Sequence, residues 1–457
     1  MVAQEFIDLF NSISLAQRST VEDFADRLNL FTVILLLITC IVVSTKQYLL
    51  NSISCYIPVK PAGENFNDYL ANYCWVHGTI PLADNEKMPT TEAQWEEYDL
   101  TRRITYYQWV PFVLGLQCIL FYIPHIAWQA ACACRTGGDM FSLVKSVADA
   151  AILCRDDRQK AVARVAEFIE DMIDTHKECR RGRRAKLAKK AVQIGGIFVA
   201  SKRLGTHLIF SYLCVKIITI INAALQIFLI QRFLGFYSNG SASRHSLQLG
   251  KGDDIKALND LSSYSTNENV EGYGFGLTVV NHIRAGRDWP ETMLFPRVAY
   301  CRVPGIRLVG VKNSYTAQCA LPINMLNEKI YIFFWFWIMF LMITCIFSLI
   351  LWLVRMIIAS KRKNFIKRYL RLKGVVVALK GDDDAVKQND FNEFIDHYLR
   401  PDGVFIIRML TINCGDVITG EIVHELYQNF LQHYNDLHNT TTDDLAKPEK
   451  IGFDNLV

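Results

Sequence analysis

The sequence predicts an all-α membrane protein: a bundle of four transmembrane helices with disulfide-braced extracellular loops and a helical cytoplasmic domain. Three observations predict it. The apolar residues, 51% of the chain, gather into four long runs, not the dispersed pattern of a soluble core. The basic residues crowd into the segments after the second and fourth runs. Two cysteines fall in each of the segments after the first and third runs, Cys55 with Cys74 and Cys301 with Cys319.

The runs come first. No charged residue stands between Arg27 and Lys46, and Tyr106 to Ala133, Leu204 to Phe236 and Ile330 to Val354 follow. Each meets or approaches the ~20 residues needed to cross ~30 Å of hydrocarbon. The first is the shortest, so its flanks must help it span. The predicted division is a leader over 1–29, helices over 30–46, 106–134, 204–236 and 330–358, and extracellular loops over 47–105 and 237–329. A helical cytoplasmic loop over 135–203, a helical tail over 359–436 and a disordered terminus over 437–457 complete it.

Charge sets the orientation. Residues 135–203 hold 16 Lys or Arg, with a cluster from Arg180 to Lys190, and the fourth run exits into Arg355, Lys361, Arg362, Lys363, Lys367 and Arg368. Four crossings put these segments on one side, and the positive-inside rule makes that side the cytoplasm, with both chain ends. The opening residues carry Glu5, Asp8, Glu22, Asp23 and Asp26 where a secretory signal would be basic, so they are read as retained. The cluster from Arg180 is read first as a charge bias that sets topology on a solvated helix face, with binding of anionic membrane lipid or another acidic partner as the sharper alternative. Net charge, +4, averages compartments that never mix.

The four cysteines outside the cell face an oxidising compartment, where disulfides form. Their three possible connectivities stay open, since spacing does not choose. Cys132 and Cys134, at the inner end of the second run, are read as packing residues, with palmitoylation the sharper alternative.

Between the spans, Phe141, Val144, Val147, Ala148 and Ile152, then Val162, Val165, Phe168, Ile169 and Ile173, keep helical spacing. In the tail Phe391, Phe394, Ile395 and Tyr398 do the same, Pro401-Asp402-Gly403 is read as a break, and Ile422, Leu426 and Phe430 resume it. Pro111 and Pro124 each remove a backbone donor, which in lipid demands partners from neighbouring helices and predicts tight packing. Tyr106 and Trp109 are read as interfacial anchors. Lys216, well inside the third run, needs a snorkelling path or a local counter-charge more than it suggests a pore lining.

Asn239-Gly240-Ser241 is a glycosylation sequon just beyond the third span. No catalytic, metal-ligating, nucleotide-cradling or nucleic-acid-binding constellation stands out; Gly272, Gly274 and Gly276 lack a strand-to-helix context, and His424-Glu425 lacks a second histidine at zinc-protease spacing. The chain is therefore read as a non-enzyme without cofactors.

Several strings carry a resemblance. Tyr106-Tyr107-Gln108-Trp109-Val110-Pro111, followed by Phe121-Tyr122-Ile123-Pro124 and Trp128, resembles the signature of the innexins, the invertebrate gap-junction proteins. Asp23 to Asn29, Ser54-Cys55-Tyr56-Ile57-Pro58 and Tyr73-Cys74-Trp75 are similar to the family's leader and first loop. Phe295 to Val298, Gln318 to Asn324 and Asn327 to Tyr331 resemble its second loop, and Tyr398 to Phe405 its tail. The resemblance implies a ring of like or mixed subunits, octameric in the family, around an aqueous pore in the plasma membrane. It implies docking of two rings on apposed cells through the braced loops. It also implies a leader folded into the pore mouth, where Glu5, Asp8 and Phe6 are the candidate lining residues and the acids would favour cations; a leader lying apolar face down on the membrane surface fits the same residues equally well. The rivals are an undocked ring that releases solutes and a non-conducting four-helix adhesion or scaffold protein.

Overall fold

The computed structural model describes residues 21–50, 53–57, 64–82, 88–135, 139–174, 205–245, 280, 284, 295–308, 311–374 and 391–444. Glu5, Phe6 and Asp8, the basic cluster from Arg180 and the Gly272 to Gly276 string lie outside them. Among the described residues, four helices are long and apolar enough to cross a membrane: α1 (Phe24–Tyr48), α4 (Val110–Arg135, preceded by a 3-10 turn at Tyr106–Trp109), α7 (His207–His245) and α8 (Pro322–Ile357). Between α1 and α4 lie β1 (Ser54–Tyr56), α2 (Glu64–His77) and α3 (Glu92–Arg102). The segment between α4 and α7 holds α5 (Met140–Ile152) and α6 (Arg155–Asp174). Strands β2 (Val298–Leu308) and β3 (Val311–Ala320) precede α8. The tail carries α9 (Ala359–Leu372), a π-helical turn at Phe394–Leu399, α10 (Arg400–Cys414) and α11 (Asp416–Asp444).

The chain divides into two compact units. The first comprises Met1–Leu28, Ile123–Ile220 and Thr344–Val457; the second comprises Asn29–Tyr122 and Ile221–Ile343. In the first, α5, α6, α10 and α11 close on a core of Val144, Val147, Val165, Ile169, Phe405, Ile407, Ile422 and Leu426. This is the face the spacing predicts, except that Ile152 at the end of α5 and Phe168 on α6 are exposed. Asp139 caps α5 by accepting the Phe141 N–H at 3.1 Å.

In the second unit a three-stranded antiparallel sheet runs β1-β3-β2. This sheet is an addition to the all-α reading, which assigned no secondary structure to the disulfide-braced loops. Its strands alternate one side chain in, one out, so buried Cys319 and Ala317 share one face of β3.

The element boundaries differ from expectation in four places. First, α1 begins at Phe24, so Asp23 to Asn29 belong to its start and not to a separate leader. Pro111 sits in the first turn of α4, where a missing N–H is unpaired in any helix; only Pro124 interrupts the interior. The carbonyl four residues before Pro111, that of Tyr107, accepts the Gln47 Nε2 amide, as tight packing requires. Second, α7 continues as a helix through Asn239, although its membrane-length apolar stretch is His207–Ile230, so Asn239 still lies beyond that stretch. Third, the break in the tail falls at Arg400, whose φ of 57° is left-handed, while Pro401 to Gly403 open α10. Fourth, α11 runs to Asp444, into the stretch read as disordered, and 445–457 lie outside the described residues.

Candidate functional site

In the second unit the four predicted cysteines pair across the two loops: Cys55 with Cys319 and Cys74 with Cys301. Local structure explains the choice. Antiparallel pairing sets Ser54 opposite Ala320, Cys55 opposite Cys319 and Tyr56 opposite Gln318. The first bridge is therefore a rung of the sheet. Two residues along β2 from Ala299, the partner of Cys319, stands Cys301, and α2 brings buried Cys74 over it. The Sγ atoms of Cys55, Cys74 and Cys319 all lie within 4.8 Å of one another, so both bridges form one sulfur cluster.

Backbone bonds knit the same region. Ile80 exchanges both its hydrogen bonds with Tyr300, at 2.7 and 2.8 Å, and Thr79 pairs with Ile104. Gly78 supports this crossing: its φ is +99°, and a Cβ there would meet Thr105 and the Ile104 carbonyl at 2.7 and 2.8 Å. A capping box starts α3, with Thr91 and Gln94 exchanging side-chain-to-backbone bonds.

The signature residues before α4 join this head to the helices of the same unit. Tyr107 is buried with its ring 4.8 Å from that of Trp75, and the Gln108 amide donates to the carbonyls of Trp75 and Val76. Tyr106, read as an interfacial anchor, is instead 3% exposed and meets Phe233 and Phe295 edge-on. Trp109 is 59% exposed.

The first unit holds a second constellation, at the start of α1. Asp23 is the N-cap: its Oδ1 accepts the Asp26 N–H at 3.0 Å, and Asp26 Oδ2 accepts the Asp23 N–H at 3.3 Å. This is a capping box built from two aspartates. Lys216 Nζ reaches both carboxylates, at 2.6 and 2.7 Å, and is fully buried. The remaining oxygens are taken as well. Ser348 Oγ and Trp352 Nε1 donate to Asp23 Oδ2 at 2.6 and 2.9 Å, and the Tyr212 hydroxyl donates to Asp26 Oδ2 at 2.8 Å. One ammonium against two carboxylates leaves a net negative charge, which the N-terminal dipole of α1 offsets.

The rings of Trp128, Tyr212, Trp352 and Phe405 enclose the cluster at centroid spacings of 4.9 to 6.3 Å. Trp128 Nε1 donates to the Val21 carbonyl at 2.8 Å, and His125 Nδ1 lies 2.7 Å from Glu22 Oε1. Lys216 thus has the local counter-charge that its position demanded. Three acids assigned to the leader are engaged in these pairs: Glu22 and Asp23 are buried, and Asp26 is partly buried. Cys132 is buried too, as a packing role requires, and the Cys134 side chain lies outside the description.

The string from Tyr398 to Phe405 forms a joint between the tail and α7. Asp402 accepts the N–H groups of Leu208 and Ile209 at 3.2 and 3.1 Å, and its own N–H donates to the Gly205 carbonyl at 2.8 Å. Helix α7 is therefore capped by a residue about 190 positions away. Burial pushes the Asp402 carboxyl up to about 6, against the pull of the backbone donors of Ile209, Leu208 and His207. Replacing Asp402 with alanine is expected to lower the stability of the first unit by about 1–2 kcal/mol. A melting temperature equal to that of the parent chain would contradict the capping role.

Four spans, with the segments after the first and third stitched into one disulfide-bridged unit, define a gap-junction-type channel subunit. The comparisons agree. The innexin family profile matches residues 22–247 and 265–430. Innexin unc-9 of Caenorhabditis elegans is 31% identical over 410 residues, 90% of this chain and 92% of its own length. Innexin-3 of the same organism is 28% identical over 442 residues, 96% of this chain and 91% of that one. Innexin-19 of Caenorhabditis briggsae is 28% identical over 425 residues, 90% and 86% of the two chains. The chain belongs to the innexin family, the gap-junction channel proteins.

Proposed function

We propose that copies of this chain, alone or with related chains, form an eight-membered ring in the plasma membrane with both chain ends in the cytosol. Two such rings on apposed cells dock through the bridged unit, and ions and small solutes pass between the cells. The observation that supports this reading best is the pair of bridges between the segments after α1 and α7. A surface ordered before association loses less entropy on docking. Tyr56, 69% exposed on the bridged strand β1, and Val76, 73% exposed two residues from Cys74, are apolar groups available for that contact. Expression in paired cells tests it: junctional current and dye transfer are expected, and their absence with the chain at the surface would overturn the reading.

The leader completes the proposal. Glu5, Asp8 and Phe6 line the pore mouth, and their carboxylates raise the local concentration of cations. With Glu22, Asp23 and Asp26 already engaged in pairs with His125 and Lys216, Glu5 and Asp8 are the leader acids left for this role. The double variant Glu5→Gln/Asp8→Asn is expected to move the reversal potential under a salt gradient toward lower cation preference. An unchanged reversal potential would remove these residues from the pore.

A further inference from the structure

Where α8 ends, the fold gathers cations from three elements of the first unit. Arg355 stands in the last turn of α8, and the chain turns at Ile358 into α9. Arg362, on the first turns of α9, folds back so that its guanidinium donates to the carbonyls of Met356 and Ile357. Arg408 arrives from α10. Its guanidinium lies 4.1 Å over the Phe365 ring and donates at 3.5 Å to the carbonyl of Lys361, itself an exposed cation.

No carboxylate lies within ion-pair distance of Arg355, Lys361, Arg362 or Arg408 among the described residues. Asp396, the acid nearest in effect to Arg362, is paired with Lys363 at 2.8 Å. The Nε of Arg408 is buried with no hydrogen-bond partner among the described residues. Burial, and then the positive charge of Arg355, press the Arg408 guanidinium down to about 10.

Topology alone explains cations on α8 and α9, which leave the membrane there. It does not explain Arg408, which tertiary structure brings from α10 onto Lys361 and Phe365 of α9, within electrostatic reach of Arg355. A buried, unpaired donor next to a like charge lacks an anion. Guanidinium groups are suited to phosphate, which they bind through paired N–H donors.

The geometry points to a phosphate-binding site formed by Arg355, Lys361, Arg362 and Arg408, occupied by the headgroup of an anionic phospholipid at the end of α8. The position favours a lipid, because Ile357 and Ile358, 45% and 42% exposed, flank the cations with apolar surface where a membrane span ends. The bound headgroup would tie α10, and with it the tail, to the inner end of the fourth span. The site is independent of docking, so failure of junction formation would leave it standing.

The test uses the full chain in neutral detergent, with thermal unfolding followed against short-chain phosphatidylinositol 4,5-bisphosphate, short-chain phosphatidylcholine and free inositol trisphosphate. The inositol lipid is expected to raise the melting temperature and phosphatidylcholine to leave it unchanged. Arg408→Gln and Arg355→Gln should each need roughly tenfold more lipid for the same shift, the loss of a charged hydrogen bond. Arg355→Gln, at the end of a helix, carries the test if Arg408→Gln fails to fold. Lys373→Gln makes the same charge change at the C-terminal end of α9, away from the cation group at its start, at a lysine 3.5 Å from Glu421, and should bind as the parent does. An equal shift from free inositol trisphosphate would keep the site and make its occupant a soluble phosphate. No shift with either phosphate compound, or equal loss in Lys373→Gln and Arg408→Gln, would overturn the proposal.

Discussion

Replacing Lys216 with methionine is expected to destabilise the first unit by about 3–5 kcal/mol, the penalty of stranding buried charge after its partner is removed. Two carboxylates converge on this one ammonium, and Lys216 has no exposure through which water could substitute for it. The loss is of the order of a domain's whole net stability, so the variant is expected to be retained inside the cell and not to reach the surface. The design of the cluster allows a sharper test than one deletion. Methionine fills the stem volume without charge, and Asp26→Asn added to it removes one stranded carboxylate while keeping a group able to accept from the Tyr212 hydroxyl. The double variant should recover part of the lost stability, because residues in one network couple non-additively. A cycle in which the two substitutions simply add would show that Lys216 and Asp26 do not depend on each other, against the 2.7 Å contact.

Much of this cluster was present in the sequence, but its signal was split. A lysine within the third apolar run requires a partner, and that much follows from the cost of charge in hydrocarbon. The partner was legible as Asp23-x-x-Asp26, an N-cap pattern. Reading the first helix from residue 30 hid it, because hydropathy places a span where charge stops, while capping places a helix where its N–H groups are satisfied. Helix α1 follows the second rule, and of the two acids that looked solvated Asp23 is buried and Asp26 partly so, both paired with Lys216. Tyr106 shows the reverse error. An aromatic residue at the edge of an apolar run looks interfacial, and only the packing of Phe233 and Phe295 reveals that it is enclosed. The four spans and the α5 and α6 helices, whose signals are local and periodic, were legible from composition and spacing.

The pairing of the cysteines was not legible, because it depends on strand register across more than two hundred residues, with separations of 264 and 227. The register makes a prediction that within-loop bridges would not. Removing both partners of the first bridge, Cys55→Ser with Cys319→Ser, should leave Cys74 joined to Cys301 and the loss confined to one bridge, about 2–5 kcal/mol. Either single variant should do worse. It leaves one free sulfur, of Cys319 or of Cys55, within 4.8 Å of Cys74, where a thiolate can attack the surviving bridge and scramble it. The mismatched pair Cys55→Ser with Cys301→Ser removes both native bridges and leaves Cys74 and Cys319 close enough to join wrongly. Junctional current between paired cells is expected to vanish in all of these variants, since docking requires an ordered surface. Surface expression should instead rank the matched double variant above both singles and the mismatched pair. Non-reducing peptide mapping decides the point: a Cys55-to-Cys74 linkage in the parent chain, or equal surface expression of matched and mismatched pairs, would mean that the sheet does not hold the two segments in the register of β1 and β3.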